Sequence, residues 1–450
     1  MRLFGTGLNR ICAVVAASTA AEMAKLLRSA LRQARTVELR LDWLSSDLER
    51  ERFLAWLKKS KVKSATFLAT CRRREGGGKF AGGVDRELYW LIQAREAGCQ
   101  WCDLELETLR KLPGQSVREY PVPPRVMLSV HDFDRTPDLP RTMNPPAHGG
   151  VDAVKIAAEA RSIHDSVRLL RLARSSKNFV AVPMGETGLP ARILALREGS
   201  ALAYAPVAAA TAPGQVSLDD MKHLYRAHAL TRRTGVYGVV GKPVGHSLSP
   251  LLHNAGFVAR RMDAVYLPFL VHDLRDFLAA VPDFGVRGFS VTHPHKQAIL
   301  KYLKECDPLA AEIGAVNTVV VRRDGSLYGS NTDYLGLLRA LEVVNGKHNP
   351  QRHGIFPNRL AGKFAQGLDF EIAPLAAGLA SLNEPVEFAV DAAGKFAAAL
   401  AASASGEKCG SRKFTFLEPG EEPRSLCVAG QPVKAQLDSP GLPQGEANQF

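Results

Sequence analysis

The chain has 450 residues, 46% of them apolar and 23% charged, with a formal charge of +13. That length and balance suit a globular protein of two or three domains and exclude a fibrous or wholly disordered one. The basic excess is scattered apart from Arg72-Arg73-Arg74 and has no interleaved aromatics; a nucleic-acid partner is not expected, whereas an anionic small molecule needs only one or two placed cations.

Seven cysteines, at 12, 71, 99, 102, 306, 409 and 427, are an odd set for a secreted disulfide framework, so a reducing cytoplasm is expected. Cys99-Gln-Trp-Cys102 has CxxC spacing, but no second pair follows at zinc-site distance, and it reads as a buried structural pair. Ile11–Ala17, preceded by Arg2 and Arg10, faintly suggests a signal peptide. Its apolar run is too short for one, and a buried strand is the better reading. No stretch approaches the ~20 apolar residues of a membrane span.

In chain order, strands are expected at Ile11–Ala17, Thr36–Leu41, Ala65–Thr70, Cys102–Leu106, Val126–Val130, Ala153–Ala157, Phe179–Pro183 and Ala201–Pro206. Helical patterns such as Ala20–Arg35, Arg86–Ala97 and Ser166–Ser175 lie between them. Eight alternations predict a (β/α)8 barrel over 1–228. The Pro- and Gly-rich stretch between Val130 and Ala153 predicts a loop instead of a helix. Residues 229–235 read as a linker. From 236 to 344 a compact α/β domain is expected, with strands Val236–Val240, Ala264–Phe269, Gly288–Val291 and Val316–Val321 and helices Pro250–Arg260, Leu274–Val281 and His295–Leu303. Beyond it, 345–450 is an atypical tail. Ala-rich Ile372–Leu382 and Val386–Ala404 read as helical, and the Gly-, Pro- and Glu-rich end leans toward disorder.

In a barrel, the C-terminal ends of different strands converge on one face. That brings together Glu38 and Arg40 of strand two, Arg72 and Glu75 after strand three, His131 after strand five and Lys155 in strand six. Arg192 and Gln215 follow strands seven and eight. A lysine inside an apolar strand is costly when charged, so its amine is expected to be neutral and nucleophilic. His131 is the candidate base, and Glu75 the group to hold its imidazole.

Glu-Leu-Arg-Leu-Asp (38–42), Ser-Val-His-Asp-Phe (129–133), Val-Lys-Ile-Ala (154–157), Met-Gly-x-x-Gly (184–188) and Ala-Pro-Gly-Gln (212–215) together resemble the type I 3-dehydroquinate dehydratases over about 10–225. The resemblance implies an imine between Lys155 and 3-dehydroquinate, proton removal by His131 and formation of 3-dehydroshikimate, without a cofactor. It also implies substrate contacts from Glu38, Arg40, Arg72, Arg192, Thr211 and Gln215. Ala191 and Thr211 stand where the family has serines. The Arg72–Glu75 spacing is one residue short, leaving open which of Arg72, Arg73 and Arg74 points inward.

Gly241-Lys-Pro-Val-Gly-His-Ser-Leu-Ser-Pro250 puts Ser247 and Ser249 at a strand-to-helix turn. Thr292, Lys296, Asn317 and Asp333 complete a polyol-binding set in which a Lys/Asp pair can relay a proton to a ketone. Residues 236–341 resemble the substrate domain of shikimate dehydrogenase, with Ser290 where many members have Asn. His293 and His295 lack a further ligand cluster, so no metal is expected. The resemblance implies NADP at this second site, yet 345–450 contains no Gly-x-Gly-Gly turn after a strand, and the cofactor-binding residues stay unassigned. Two readings remain for this half: a dehydrogenase of shikimate or quinate, or a non-catalytic module binding shikimate-like ligands.

Overall fold

Eight short apolar segments become parallel strands: β1 (Ile11–Val15), β2 (Thr36–Arg40), β3 (Thr66–Thr70), β4 (Trp101–Glu105), β5 (Arg125–Asp132), β6 (Ala153–Glu159), β7 (Phe179–Met184) and β8 (Ala203–Pro206). The computed structural model describes residues 3–60, 62, 64–137, 150–176, 178–208, 214–334 and 336, with the backbone of four strands between 386 and 429. The strands pair in the order β7-β6-β5-β4-β3-β2-β1-β8. At the remaining seam the Ala201 N–H donates to the Phe179 carbonyl at 2.7 Å and the Ala181 N–H to the Ser200 hydroxyl at 3.1 Å, nearly closing the barrel.

Helices α1 (Ala20–Leu31), α2 (Asp47–Ser60), α3 (Val84–Glu96), α4 (Leu106–Lys111), α5 (Ile163–Ser175) and α6 (Leu189–Glu198) follow strands one, two, three, four, six and seven. Their starts are written in the sequence. The Thr19 hydroxyl caps α1, and Ser162 with Asp165 forms a reciprocal capping box on α5. In α1, Met23, Leu27 and Ala30 recur at helical spacing and are buried against the strands. Much of the segment expected as a loop after β5, 138–149, lies outside the described residues.

Inward-facing residues recur every second position along a strand. Read toward the C-terminal ends, they change from apolar to polar or charged: Leu68 then Thr70, Trp101 then Asp103 and Glu105, Met127 then Ser129 and His131, Ala153 then Lys155. The lower half is a dry plug of Cys12, Leu68, Trp101, Met127, Ala153 and Val180, with Phe4 over Trp101 at 4.4 Å between ring centroids. The buried ionisable groups stand above it.

The second sheet runs β10-β9-β11-β13-β14-β12. It contains β9 (Gly235–Gly241), β10 (Ala264–Leu270), β11 (Val286–Val291), β12 (Glu305–Cys306), β13 (Thr318–Val321) and β14 (Leu327–Ser330). Strands β9, β10 and β11 are parallel, and β13 is antiparallel to both β11 and β14. The accompanying helices are α7 (Ser249–Ala259), α8 (Leu274–Phe284), α9 (His295–Ala298) and α10 (Pro308–Ile313). Helix α9 ends after one turn and passes into a 3-10 turn at Ile299–Tyr302, shorter than the helix expected to Leu303.

Barrel and second sheet belong to one unit, Met1–Asn331. Helix α8 lies beside α5: the Asp276 carboxylate accepts from the Ile163 and His164 N–H groups at 2.7 and 3.1 Å, and Arg171 grips Asp283 at 2.9 and 2.7 Å. In the second unit, Thr332–Phe450, β15 (Val386–Val390), β16 (Phe396–Leu400), β17 (Ser411–Leu417) and β18 (Arg424–Ala429) form an antiparallel meander. This corrects the helix expected over Val386–Ala404. Val-Glu-Phe-Ala-Val alternates with strand period, and a short apolar run does not by itself separate strand from helix. Ile372–Leu382 lies outside the described residues. No described helix is long and apolar enough to cross a membrane.

Trp101 is 2% exposed and fills the barrel floor. Trp101→Ala should destabilise the protein by about 3–5 kcal/mol in urea unfolding; a loss below about 1 kcal/mol would mean that the floor collapses to fill the space.

Candidate active sites

Lys155 points into the barrel from the middle of β6 and is 3% exposed. Its Nζ is paired with Asp103 Oδ2 from β4, and the Tyr204 ring lies 5.0 Å away. The side chain is buried in the strand, and it lies against a carboxylate rather than among apolar groups alone. Burial opposes ionisation of Asp103, yet Lys155 first and Arg72 second outweigh it and hold the carboxyl well below the usual range. Ser129 donates its hydroxyl to the same carboxylate at 2.5 Å.

His131 is on β5, next to β6, with Ser129 opposite Lys155 and His131 opposite Ala157. The two residues are thus on neighbouring strands and one side-chain repeat apart, roughly 8 Å between Cα atoms. Burial first, and the Arg72 guanidinium second, push the imidazole down to about 4, so it is neutral at ordinary pH. Its Nδ1 lies 3.0 Å from Glu105 Oε2. Glu105 Oε1 in turn accepts from Arg72 Nε at 2.6 Å and Ser129 Oγ at 3.1 Å.

Glu75 does not hold the imidazole. It sits in a turn beyond β3 with its side chain 68% exposed, paired with Arg73 at 2.5 Å and Lys111 at 3.1 Å. The strand position beside β5 belongs to Glu105, whereas the turn carries Glu75 outward. Among the three consecutive arginines, Arg72 enters the charged interior, while Arg73 is buried against Glu87 and Thr108.

The other expected contacts gather at the same end of the barrel. Glu38 is buried and accepts from the Thr70 hydroxyl at 2.7 Å. Arg40 is held by Asp42 through two bonds of 2.9 and 2.7 Å. Arg192, at the start of α6, donates to the Pro183 carbonyl; burial pushes its guanidinium down to about 10, which leaves it a cation. Gln215 is half-buried after β8, and Thr211 lies outside the described residues.

In the second sheet, Ser247 and Ser249 lie where β9 turns into α7, and the Ser247 hydroxyl accepts from the Ser249 N–H at 3.2 Å. Tyr266 of β10 donates its hydroxyl to Ser290 Oγ at 2.8 Å. Thr292 follows β11, and its N–H donates to the Val240 carbonyl at 2.9 Å. Lys296 stands in α9, and its carbonyl accepts from the Val316 N–H at 2.8 Å. Asn317 precedes β13 and joins it to both neighbours: its carbonyl accepts from Val291 at 2.6 Å and its N–H donates to Ser330 at 3.2 Å. Asp333 lies three residues after β14, in a helical turn at 332–334. His295 is buried, its Nε2 2.8 Å from the Val271 carbonyl. Among the described residues no group of three metal-ligating side chains is found.

The sequence reading missed Asp103, Glu105, Ser129 and Tyr204. The signal for the first two was present in Trp-Cys-Asp-Leu-Glu. Two carboxylates spaced by two in a strand share a face, and that face begins with a tryptophan.

The neutral imidazole sets a pH dependence. The unfolded chain takes up this proton near 6.5, the fold not until about 4, so stability falls as pH drops through that interval, by a few kcal/mol at most. Urea midpoints should decline between pH 7 and 5, and less steeply in His131→Asn. Equal declines in both proteins would assign the effect elsewhere.

Residues 11–231 match the type I 3-dehydroquinase family, and residues 239–319 match the shikimate dehydrogenase substrate binding domain. The chloroplastic bifunctional 3-dehydroquinate dehydratase/shikimate dehydrogenase of Arabidopsis thaliana is 36% identical over 317 residues, covering 68% of this chain and 51% of that protein. A shikimate dehydrogenase (NADP(+)) of Bacillus mycoides is 53% identical over 112 residues, covering 24% of this chain and 40% of its own. The solved dehydroquinate dehydratase and shikimate dehydrogenase from S. pombe is 21% identical, with a TM-score of 0.39 over 73% of this chain and 65% of that one. The chain spans about half the length, or less, of these curated relatives. It thus joins a barrel of the type I 3-dehydroquinase family to a substrate binding domain of the shikimate dehydrogenase family.

Proposed function

We infer that the barrel dehydrates 3-dehydroquinate to 3-dehydroshikimate. The observation that carries this reading is a buried lysine amine one strand from a neutral imidazole, with Arg72 and Arg192 as cations for a carboxylate. The Asp103 carboxylate holds the Lys155 amine in place inside the barrel. The amine then condenses with the C3 ketone, releasing water. The iminium acidifies C2; His131 takes that proton, the electron pair forms the C1–C2 double bond, and the C1 hydroxyl leaves as water with the proton returned. Hydrolysis of the imine frees Lys155. No cofactor enters this sequence.

For the second domain the reading is recognition of the same product. Ser247, Ser249, Thr292 and Asn317 are hydroxyl and amide groups suited to a polyol acid, with Lys296 and Asp333 as the proton pair. The Bacillus relative is named for NADP(+), and NADP is the cofactor that reduction here would use. The described part of 332–450 does not fit that cofactor. A dinucleotide is held where parallel strands end and a helix N-terminus meets the pyrophosphate, whereas these four strands are antiparallel. The meander favours a second reading, in which the domain binds shikimate-like ligands without reducing them.

The described cysteines are free, four of them buried, which suits a reducing compartment. The reading places the protein in the cytoplasm, with the plastid of the Arabidopsis relative as the competing site.

Borohydride added during turnover of 3-dehydroquinate should leave a reduced adduct on Lys155, located by mass spectrometry, and Lys155→Ala should abolish both adduct and activity. A stable adduct on another lysine would refute the barrel assignment. Fluorescence titration with NADPH separates the two readings of the second domain: saturable micromolar binding assigns reduction, and its absence assigns the binding module.

A further inference from the structure

We propose that Glu105, in the place expected for Glu75, is the positioning residue that makes His131 a base, and that the same carboxylate ties the base to the substrate-gripping Arg72. The proposal rests on the reading of His131 as the group that removes the C2 proton.

Glu105 is 3% exposed at the end of β4, and its two oxygens face different partners. Oε2 faces His131 Nδ1 at 3.0 Å, and Oε1 accepts from Arg72 Nε at 2.6 Å. An ionised carboxylate only accepts, so the imidazole proton resides on Nδ1 and Nε2 is the ring atom left to take one. After proton transfer the imidazolium stays against a carboxylate, so the charge that forms in the step is compensated where it forms. When the substrate draws Arg72, the pull reaches the imidazole through one side chain.

Glu75 is held away by structure built for the purpose of fixing its turn. Arg73 bonds it and is itself locked, through Nε to Glu87 at 2.9 Å and through Nη2 to Thr108 at 3.1 Å. The turn closes on itself through Arg74 N–H to the Phe80 carbonyl at 2.9 Å and Phe80 N–H to the Arg72 carbonyl at 3.1 Å. These bonds keep the Glu75 carboxylate on the outer side of the turn, between Arg73 and Lys111. The charged groups that act on His131 are therefore Arg72 beyond β3, Asp103 and Glu105 on β4, and Lys155 on β6.

Glu75→Gln, Glu105→Gln and Glu105→Asp proteins of the full chain test this. E75Q should keep kcat and KM within about twofold of the parent, and E105Q should lose about a hundredfold in kcat. The E105Q protein should still yield the borohydride adduct on Lys155, and the acidic limb of its pH–rate profile should move to lower pH, because the imidazole has lost its carboxylate. A tenfold or greater fall in E75Q, or full kcat in E105Q, overturns the proposal. If E105Q does not fold, E75Q together with partial activity in E105D decides in the same sense. Absence of the Lys155 adduct from the parent protein is a different result: it removes the dehydratase reading itself.

Discussion

An ammonium and a carboxylate face each other inside the barrel, and the surrounding interior is arranged to keep them there. Lys155 and Asp103 are each almost fully withdrawn from water, and burying two ions costs several kcal/mol apiece before their attraction is counted. The pair is viable because Ser129 bonds the carboxylate and Arg72 lies 3.8 Å from it. Below, the Phe4–Trp101 plug keeps the floor dry. That dryness strengthens every charge interaction above it and keeps His131 neutral beside a cation. The chemistry assigned to the site thus depends on packing at the opposite end of the same strands.

Much of this architecture was legible in the sequence. Eight apolar runs mark the eight strands to within a few residues, because both faces of a parallel barrel strand are buried and the run is almost continuous. The missed strand β14 reads Leu-Tyr-Gly-Ser and β12 is two residues long, too little apolar signal to count. At the site, Lys155 and His131 were found because they stand out against apolar neighbours. Asp103 and Glu105 are less legible because they alternate with Cys102 and Leu104 in a run whose apolar residues mark the strand and not its inner face. Glu75 was misplaced because sequence order says that a residue follows a strand but not which way the turn aims it.

The relation between the two domains is also physical rather than only sequential. Asp276 caps the first turn of α5 from helix α8 of the second domain, adding a negative charge at a helix N-terminus already closed by Ser162 and Asp165. From α5, Arg168 donates to the carbonyls of Thr136 and Pro137 on the segment that leaves β5. The second sheet is thereby joined through one helix to the chain just beyond His131. The linker read at 229–235 is accompanied in the fold by a set of directional bonds between α5 and α8.

The change from oily to ionic along each inner strand has an evolutionary meaning. Within five residues, a strand such as β4 answers to two kinds of selection. Trp101 is judged by volume, since neighbouring side chains only need the space filled. Asp103 and Glu105 are judged by charge and hydrogen-bond count, since any neutral replacement strands a partner. Drift can therefore remodel the base of this barrel while its rim stays chemically frozen, and new activities on such a scaffold would have to arise from the loops around that rim.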